Sequence, residues 1–224
     1  MIVRPDYIPE GYDRILLAET EREFFAAELK GRTNCIVSPR PISGDFNALA
    51  QQLYLGLDYH EMLQKRVETH TRLGELAQRE DAIAVAARQV LYDIAMVEAQ
   101  GADSDLRIAG PGYYNISTYS LHMDGGSDED GFGTFMCNYT KPTTRWARSE
   151  DCDNGFYSSR GGARHFNQIA GEQRHFGVGD LIRQTPERNL HNVEGFIHAA
   201  EPVKEGQVRM LLCARMPFVS ALKV

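Results

Sequence analysis

Residues Pro111–Cys137 read PGYYNISTYSLHMDGGSDEDGFGTFMC, and the reading of this stretch decides the architecture of the second half of the chain. Side chains of an extended strand alternate between faces, so residues two apart share one. Read as a strand, Tyr114, Ile116, Thr118, Ser120, His122 and Asp124 line a single face. His122 and Asp124 then stand side by side at the strand's end, where an imidazole and a carboxylate can take adjacent positions on one cation. A second histidine from elsewhere would complete the two-histidine, one-carboxylate set that leaves positions open on Fe(II). The same pair is also what a surface His beside a turn-forming Asp before Gly125 and Gly126 would give. The Ser127–Asp130 run, SDED, reads as a solvated acidic turn that disfavours anionic substrates on that side.

Outward from this stretch the two sides differ in texture. After Gly101, glycine and aromatic residues rise and short runs take over: LRIA, NISTYSLHM, GTFMCNYT, RWARS, ARHFNQIA, HFGVGDLIRQ, VEGFIHAA and QVRMLLCARM. About eight short strands separated by turn residues predict a β-sandwich or jelly roll. Before Gly101 the periodicity is helical. Glu19–Lys30 is acidic at its start, apolar on one side and followed by Gly31. In Asp45–Leu63 the residues Phe46, Leu49, Leu53 and Leu57 recur at helical spacing, with Asp45 placed to cap. The longest helix is expected over Glu75–Gln100, with Ile83, Ala87, Val90, Leu91, Ile94 and Val97 as its stripe and Gly101 as its stop. Between the first two helices, Asn34–Gly44 reads as an edge strand ended by Pro39 and Pro41. The expected fold is mainly β with α: one domain, helical over 1–104 and a double-stranded β-helix, or jelly roll, over 105–224, the helices packed on one face of the sheet. Asp151–Ala163, DCDNGFYSSRGGA, is a polar Gly-rich loop that reads equally as a lid and as plain surface.

At 224 residues and 42% hydrophobic content the chain has enough apolar material for one full core and not for two. A net charge of -7 argues against general nucleic-acid binding. Cys35, Cys137, Cys152 and Cys213 are widely spaced, which excludes a CxxC zinc site and a dense disulfide scaffold, so they read as buried thiols. The opening MIVRPDYIPEGYDR lacks the apolar run of a signal peptide, and no later stretch approaches a membrane span, so a cytoplasmic setting is expected.

Two histidines compete to complete the site. His198 lies in a strand-like run with Phe196 on its own face, followed across Lys204–Gly206 by Arg209; His191 lies in a polar, loop-like setting after Pro186. Arg209 alternates with Val208 and Met210 and shares its face with Leu211 and Cys213. An arginine facing a cavity among such neighbours needs an anion. Trp146 and Arg145, on a strand after the pair, are candidates to line a substrate pocket, with a core role the stronger reading for Trp146. His60, His70, His165 and His175 have no partner at metal-ligand spacing and read as structural or surface residues.

The order HMD, then GDLI, then HAAEPVKEGQVR resembles the Fe(II)/2-oxoglutarate-dependent dioxygenase superfamily, over roughly the last half of the chain. The resemblance implies a jelly-roll core in which His122, Asp124 and His198 bind iron. Arg209 would grip the distal carboxylate of 2-oxoglutarate, a task its planar fork suits, and Tyr114 would contact the same cosubstrate. It further implies oxidation of a small-molecule or amino-acid-like substrate by O2. The run CNYTKPTTRWARSED, with NVEGFIH downstream, is also similar to a bacterial family of unassigned activity, and that likeness favours His198 over His191. Two other functions use the same residues: a cupin-type metal enzyme without 2-oxoglutarate, and a non-enzymatic jelly roll that binds a ligand or a partner.

Overall fold

The computed structural model describes residues 4–114, 116–125, 132–157, 163–187 and 193–217. Five helices occupy the first half, and their caps explain where they begin. In α1 (Glu21–Ala26) the Thr20 hydroxyl accepts from the Glu23 N–H at 3.1 Å. This helix is shorter than Glu19–Lys30, and its terminal carbonyls turn to the buried Arg183, whose Nη1 donates to Phe24, Phe25 and Ala27 at 2.7, 3.0 and 3.3 Å. Asp45 caps α2 (Phe46–Leu53) through the Ala48 N–H. The helical run expected to reach Leu63 breaks instead. Gly56 adopts φ +71°, which an L side chain rarely takes, and Asp58 and Glu61 form a reciprocal capping box that restarts the chain as α3 (Tyr59–Gln64). The long helix also divides: α4 (Arg66–Ala77) ends before Asp81, whose carboxylate accepts from the Ala84 N–H at 2.9 Å and starts α5 (Ala82–Glu98).

The strands are β1 (Ile15–Leu17), β2 (Cys35–Ser38), β3 (Asp103–Ala109), β4 (His122–Met123), β5 (Phe132–Asn138), β6 (Arg145–Trp146), β7 (Phe156–Tyr157), β8 (Arg164–His165), β9 (Arg174–His175), β10 (Leu181–Gln184), β11 (His198–Ala199) and β12 (Arg209–Pro217). They form two six-stranded sheets, ordered β1-β2-β10-β5-β12-β3 and β7-β8-β4-β11-β6-β9. The protein is therefore mainly β with a helical first half. From β3 onward the chain shuttles between sheets: β3, β5, β10 and β12 lie in the first, and β4, β6 to β9 and β11 in the second. β2 is interior rather than at an edge, paired on both sides and buried along its length.

One expected strand forms only at its end. Over the described residues 116–123 only His122 and Met123 pair, and Ile116–Tyr119 is a 3-10 turn. The β-branched residues there favour a strand by propensity, but the carbonyls have tertiary partners. Thr118 accepts from the Ala200 N–H at 3.1 Å, Tyr119 from Arg145 Nη2, and Ser120 from His122 Nδ1. Packing overrides propensity, and Tyr114 does not share a strand face with His122. The HFGVGDLIRQ run is likewise two strands, β9 and β10, separated by a turn with Gly179 at φ +90° and the Gly177 N–H donating to the Asp180 side chain.

Alternation along β12 distributes its residues between two cores. Met210, Leu212, Ala214 and Met216 face the helices, with Phe24, Leu49, Leu73, Val90 and Val97. Leu211 and Cys213 face the second sheet, in an inner core with Met136, Trp146, Phe176, Ile182 and Phe196. A third cluster, including Met123, Phe166 and Ile197, covers the far side of the second sheet. All four cysteines are free and buried, as their spacing predicts. No helix among the described residues is long and apolar enough to cross a membrane.

Candidate metal centre

Pairing of two short strands assembles the site. In the β4–β11 ladder His198 lies directly opposite His122, and their rings stand with centroids 4.7 Å apart. Asp124, just past β4, completes the group. Its Oδ1 lies 3.6 Å from His122 Nε2 and 3.7 Å from His198 Nε2, and one ligand atom from each of the three residues lies within 4.8 Å of the others. Metal bonds of about 2.1 Å put neighbouring ligand atoms about 3 Å apart, so small side-chain adjustments would close the set on an ion. Among the described residues this is the one group of three His, Cys, Asp or Glu side chains close enough to share a cation.

Backbone carbonyls decide which ring nitrogens are available. His122 Nδ1 lies 2.8 Å from the Ser120 carbonyl and His198 Nδ1 3.3 Å from that of Phe196. A carbonyl only accepts, so each Nδ1 carries a proton; in the neutral ring Nε2 is then the free nitrogen on the Asp124 side, and in the protonated ring it donates to Asp124 instead. This is the outer-shell arrangement that orients histidine ligands. Asp124 is itself held through Oδ2, which accepts from the Thr134 hydroxyl at 2.9 Å and from Gln184 Nε2 at 3.2 Å. The same Gln184 nitrogen lies 3.2 Å from His198 Nε2; a metal would take that lone pair and leave Gln184 to Asp124.

Protonation preferences follow from burial and from these neighbours. Burial alone would push Asp124 up, but the charges of His198 and His122 and the hydrogen bonds from His122 and Thr134 hold its carboxyl far below the usual range. His198 is lowered to about 4, chiefly by burial, against the opposing pull of Asp124. At His122 burial also acts downward, and the hydrogen bond and charge of Asp124 outweigh it to leave a net rise. An ionised carboxylate beside imidazole lone pairs is the donor chemistry that fits a divalent cation.

Arg209, the first residue of β12, is 1% exposed. Its Nη2 donates to Asn138 Oδ1 at 2.9 Å and Thr144 Oγ1 at 2.7 Å, while Nε and Nη1 have no partner among the described residues. Arg209 shares the inward face of β12 with Leu211 and Cys213, whose core also holds Trp146, the ladder partner of His198, so the guanidinium and the His–Asp–His group border one interior. Tyr114 is buried beside Tyr113 and Tyr119. Burial raises its hydroxyl pKa, against the charges of Arg209 and Arg107 and a hydrogen bond from Arg107. Trp146 is fully buried in the inner core, opposite His198 in the β6–β11 ladder. Arg145 lies on the other face of β6, bonded to Gln173 at 2.9 Å and to the Tyr119 carbonyl. His165 stands opposite His122 on β8, rings 5.7 Å apart, and stacks on the exposed Phe156 of β7. His191, the acidic Ser127–Asp130 run and part of the Asp151–Ala163 loop lie outside the described residues.

Sequence reasoning missed Thr134, Asn138, Thr144 and Gln184. For the β5 pair a signal existed: in GTFMCN the polar Thr134 and Asn138 recur on one face with Met136, a polar stripe where the strand faces an apolar core. No protein-family model matches the chain, and no curated protein matches it.

Proposed function

We propose that this chain is a non-haem Fe(II)- and 2-oxoglutarate-dependent oxygenase that acts on a small-molecule or amino-acid-like substrate. The single observation that carries this reading is the meeting, in one buried interior, of a His–Asp–His group and an arginine with two unpaired donors. A metal alone would explain the first, and an anion alone the second. A 2-oxo acid with a distal carboxylate engages both, its oxo-acid end at the metal and its far end at Arg209. The strand order supports the jelly-roll reading: β3-β12-β5-β10 in one sheet and β4-β11-β6-β9 in the other follow the order expected of a double-stranded β-helix.

In this reading His122, Asp124 and His198 hold Fe(II), and Arg209 and Tyr114 border the cosubstrate. Iron held there would supply activation of O2, coupled to decarboxylation of 2-oxoglutarate to succinate and CO2. The protein's own residues do the rest. Ser120 and Phe196 fix the imidazoles through Nδ1, and Thr134 and Gln184 fix Asp124. Arg209 orients the cosubstrate by its far end, and Trp146, Phe176 and Phe196 keep water from the interior. The exposed Phe156, stacked on His165 at the edge beside β4, offers an apolar surface next to the centre.

Anaerobic titration with Fe(II) and then 2-oxoglutarate tests the proposal. The expected result is a weak visible charge-transfer band that forms only when both are present. Metal uptake with no band and no 2-oxoglutarate binding would overturn the cosubstrate half and leave a cupin-type metal enzyme. Failure to take up Fe(II) or Mn(II) would overturn the whole and favour a ligand-binding jelly roll.

A further inference from the structure

Beside Arg209 lies another donor without a partner among the described residues, and its orientation is fixed by its neighbours. Asn138, the last residue of β5, is fully buried. Its Oδ1 accepts from Arg209 Nη2 at 2.9 Å, the Thr144 backbone N–H at 3.2 Å and the Thr144 hydroxyl at 3.3 Å. A guanidinium and a backbone N–H can only donate, so the amide cannot be turned over without setting donor against donor. Nδ2 is thereby directed away from them, and it has no partner among the described residues. Arg209 Nε and Nη1 are in the same condition. Buried donors without acceptors are costly, and a cluster of them calls for a ligand that only accepts.

We infer that Asn138 is a specificity-determining residue of the cosubstrate site, its Nδ2 donating to the distal carboxylate beside Arg209 and so selecting a distal acid over a distal amide. This rests on the proposed 2-oxoglutarate reading and deepens it. Arg209 supplies charge, which attracts any anion. The amide adds a second donor, and a ligand whose far end is a carboxamide would set its own N–H groups against one donor or the other.

The test uses the Mn(II)-loaded protein and two ligands that share a metal-chelating oxalyl end, oxalyl-glycine and oxalyl-glycinamide, the second differing only by its distal carboxamide. Calorimetry gives each affinity. The wild type is expected to prefer the acid by at least about tenfold, one hydrogen bond to a charged group. Asn138→Asp keeps the acceptor that Arg209 and Thr144 require and replaces the donor with an anionic oxygen. It should weaken the acid by about 100-fold or more, and bind the amide tighter than the wild type does. If the amide gains nothing in that variant, Asn138 does not touch the distal group and the inference fails. Asn138→Ala, which adds no charge, should weaken the acid about tenfold and the amide much less; equal weakening of both also overturns it. Metal uptake without binding of either ligand by the wild type would instead sink the cosubstrate reading, and this inference with it.

Discussion

Two arginines lie on opposite sides of the first sheet, Arg209 buried and Arg40 half-buried, and their surroundings differ in kind. Arg40, on the helical side, is tied off completely. Its Nη1 donates to Asp93 Oδ1 at 2.8 Å, its Nη2 to Asp93 Oδ2 and its Nε to the Gly179 carbonyl at 2.9 Å. Asp93, fully buried on α5, also accepts from the Tyr139 hydroxyl at 2.6 Å and Gln89 Nε2 at 3.0 Å. Burial works against the Arg40 charge, and Asp93 more than restores it. Arg209 has two neutral acceptors, on one nitrogen, and two nitrogens with none. A fully paired cation fastens helix to sheet. A half-paired one in a buried interior carries a cost in the free protein that a bound anion would remove, which the proposed cosubstrate role of Arg209 would explain.

The contrast predicts opposite consequences for one substitution made twice. Arg40→Met strands the Asp93 carboxylate without its countercharge and should destabilise the protein by about 3–5 kcal/mol in urea denaturation, while metal affinity of the folded protein stays unchanged. If Arg40→Met costs under about 1 kcal/mol, the network is not what joins α5 to the sheet.

Arg209→Met should do the reverse. The Thr144 N–H still satisfies Asn138 Oδ1, no buried carboxylate is stranded, and two unsatisfied donors disappear. Stability is expected to hold or to rise by up to about 2 kcal/mol. Binding of 2-oxoglutarate to the Mn(II) form should fall about 100-fold or more, with Mn(II) affinity retained. A destabilisation matching that of Arg40→Met, with 2-oxoglutarate affinity preserved, would make Arg209 a second structural arginine and erase the distinction.

How much of this was legible in the sequence depends on whether the decisive contacts were local. The His122 and Asp124 pair is local, two residues apart, and the alternation of Arg209 with its neighbours on β12 placed it facing inward with Leu211 and Cys213. Both readings needed only strand periodicity. The expected strand leading into His122 did not form, because the carbonyls of Thr118 and Tyr119 are claimed by Ala200 and Arg145, which no local pattern announces. The partners of Arg209 and Asp124 are long-range contacts too: Asn138 reaches Arg209 across the β5–β12 pairing, and Thr144 and Gln184 reach theirs only once the two sheets face each other, so the polar face of β5 was the one local signal. The helix breaks are a different kind of miss. Asp58, Glu61 and Asp81 are cap residues in plain sight, outvoted by an apolar periodicity that runs through the breaks.

The last of these caps gives the smallest expected effect and bears on the helical side of the comparison, since α5 carries Asp93. The Asp81 carboxyl is held below its ordinary range, first by the Ala84 N–H, against desolvation, and then by Arg79. A depressed acid contributes its stability above the unfolded value, about 3.9, and loses it as pH falls through the lower folded value. Asp81→Asn keeps a side-chain oxygen for the Ala84 N–H and removes the charge, so it isolates the part of the cap that titrates. The variant's thermal midpoint should lie slightly below that of the wild type at pH 7, and the gap should narrow as pH falls below about 4. A gap that stays constant across that range would mean that α5 is started by hydrogen-bond geometry alone. Charge would then hold this helix only where it is buried and fully paired, at Asp93 and Arg40.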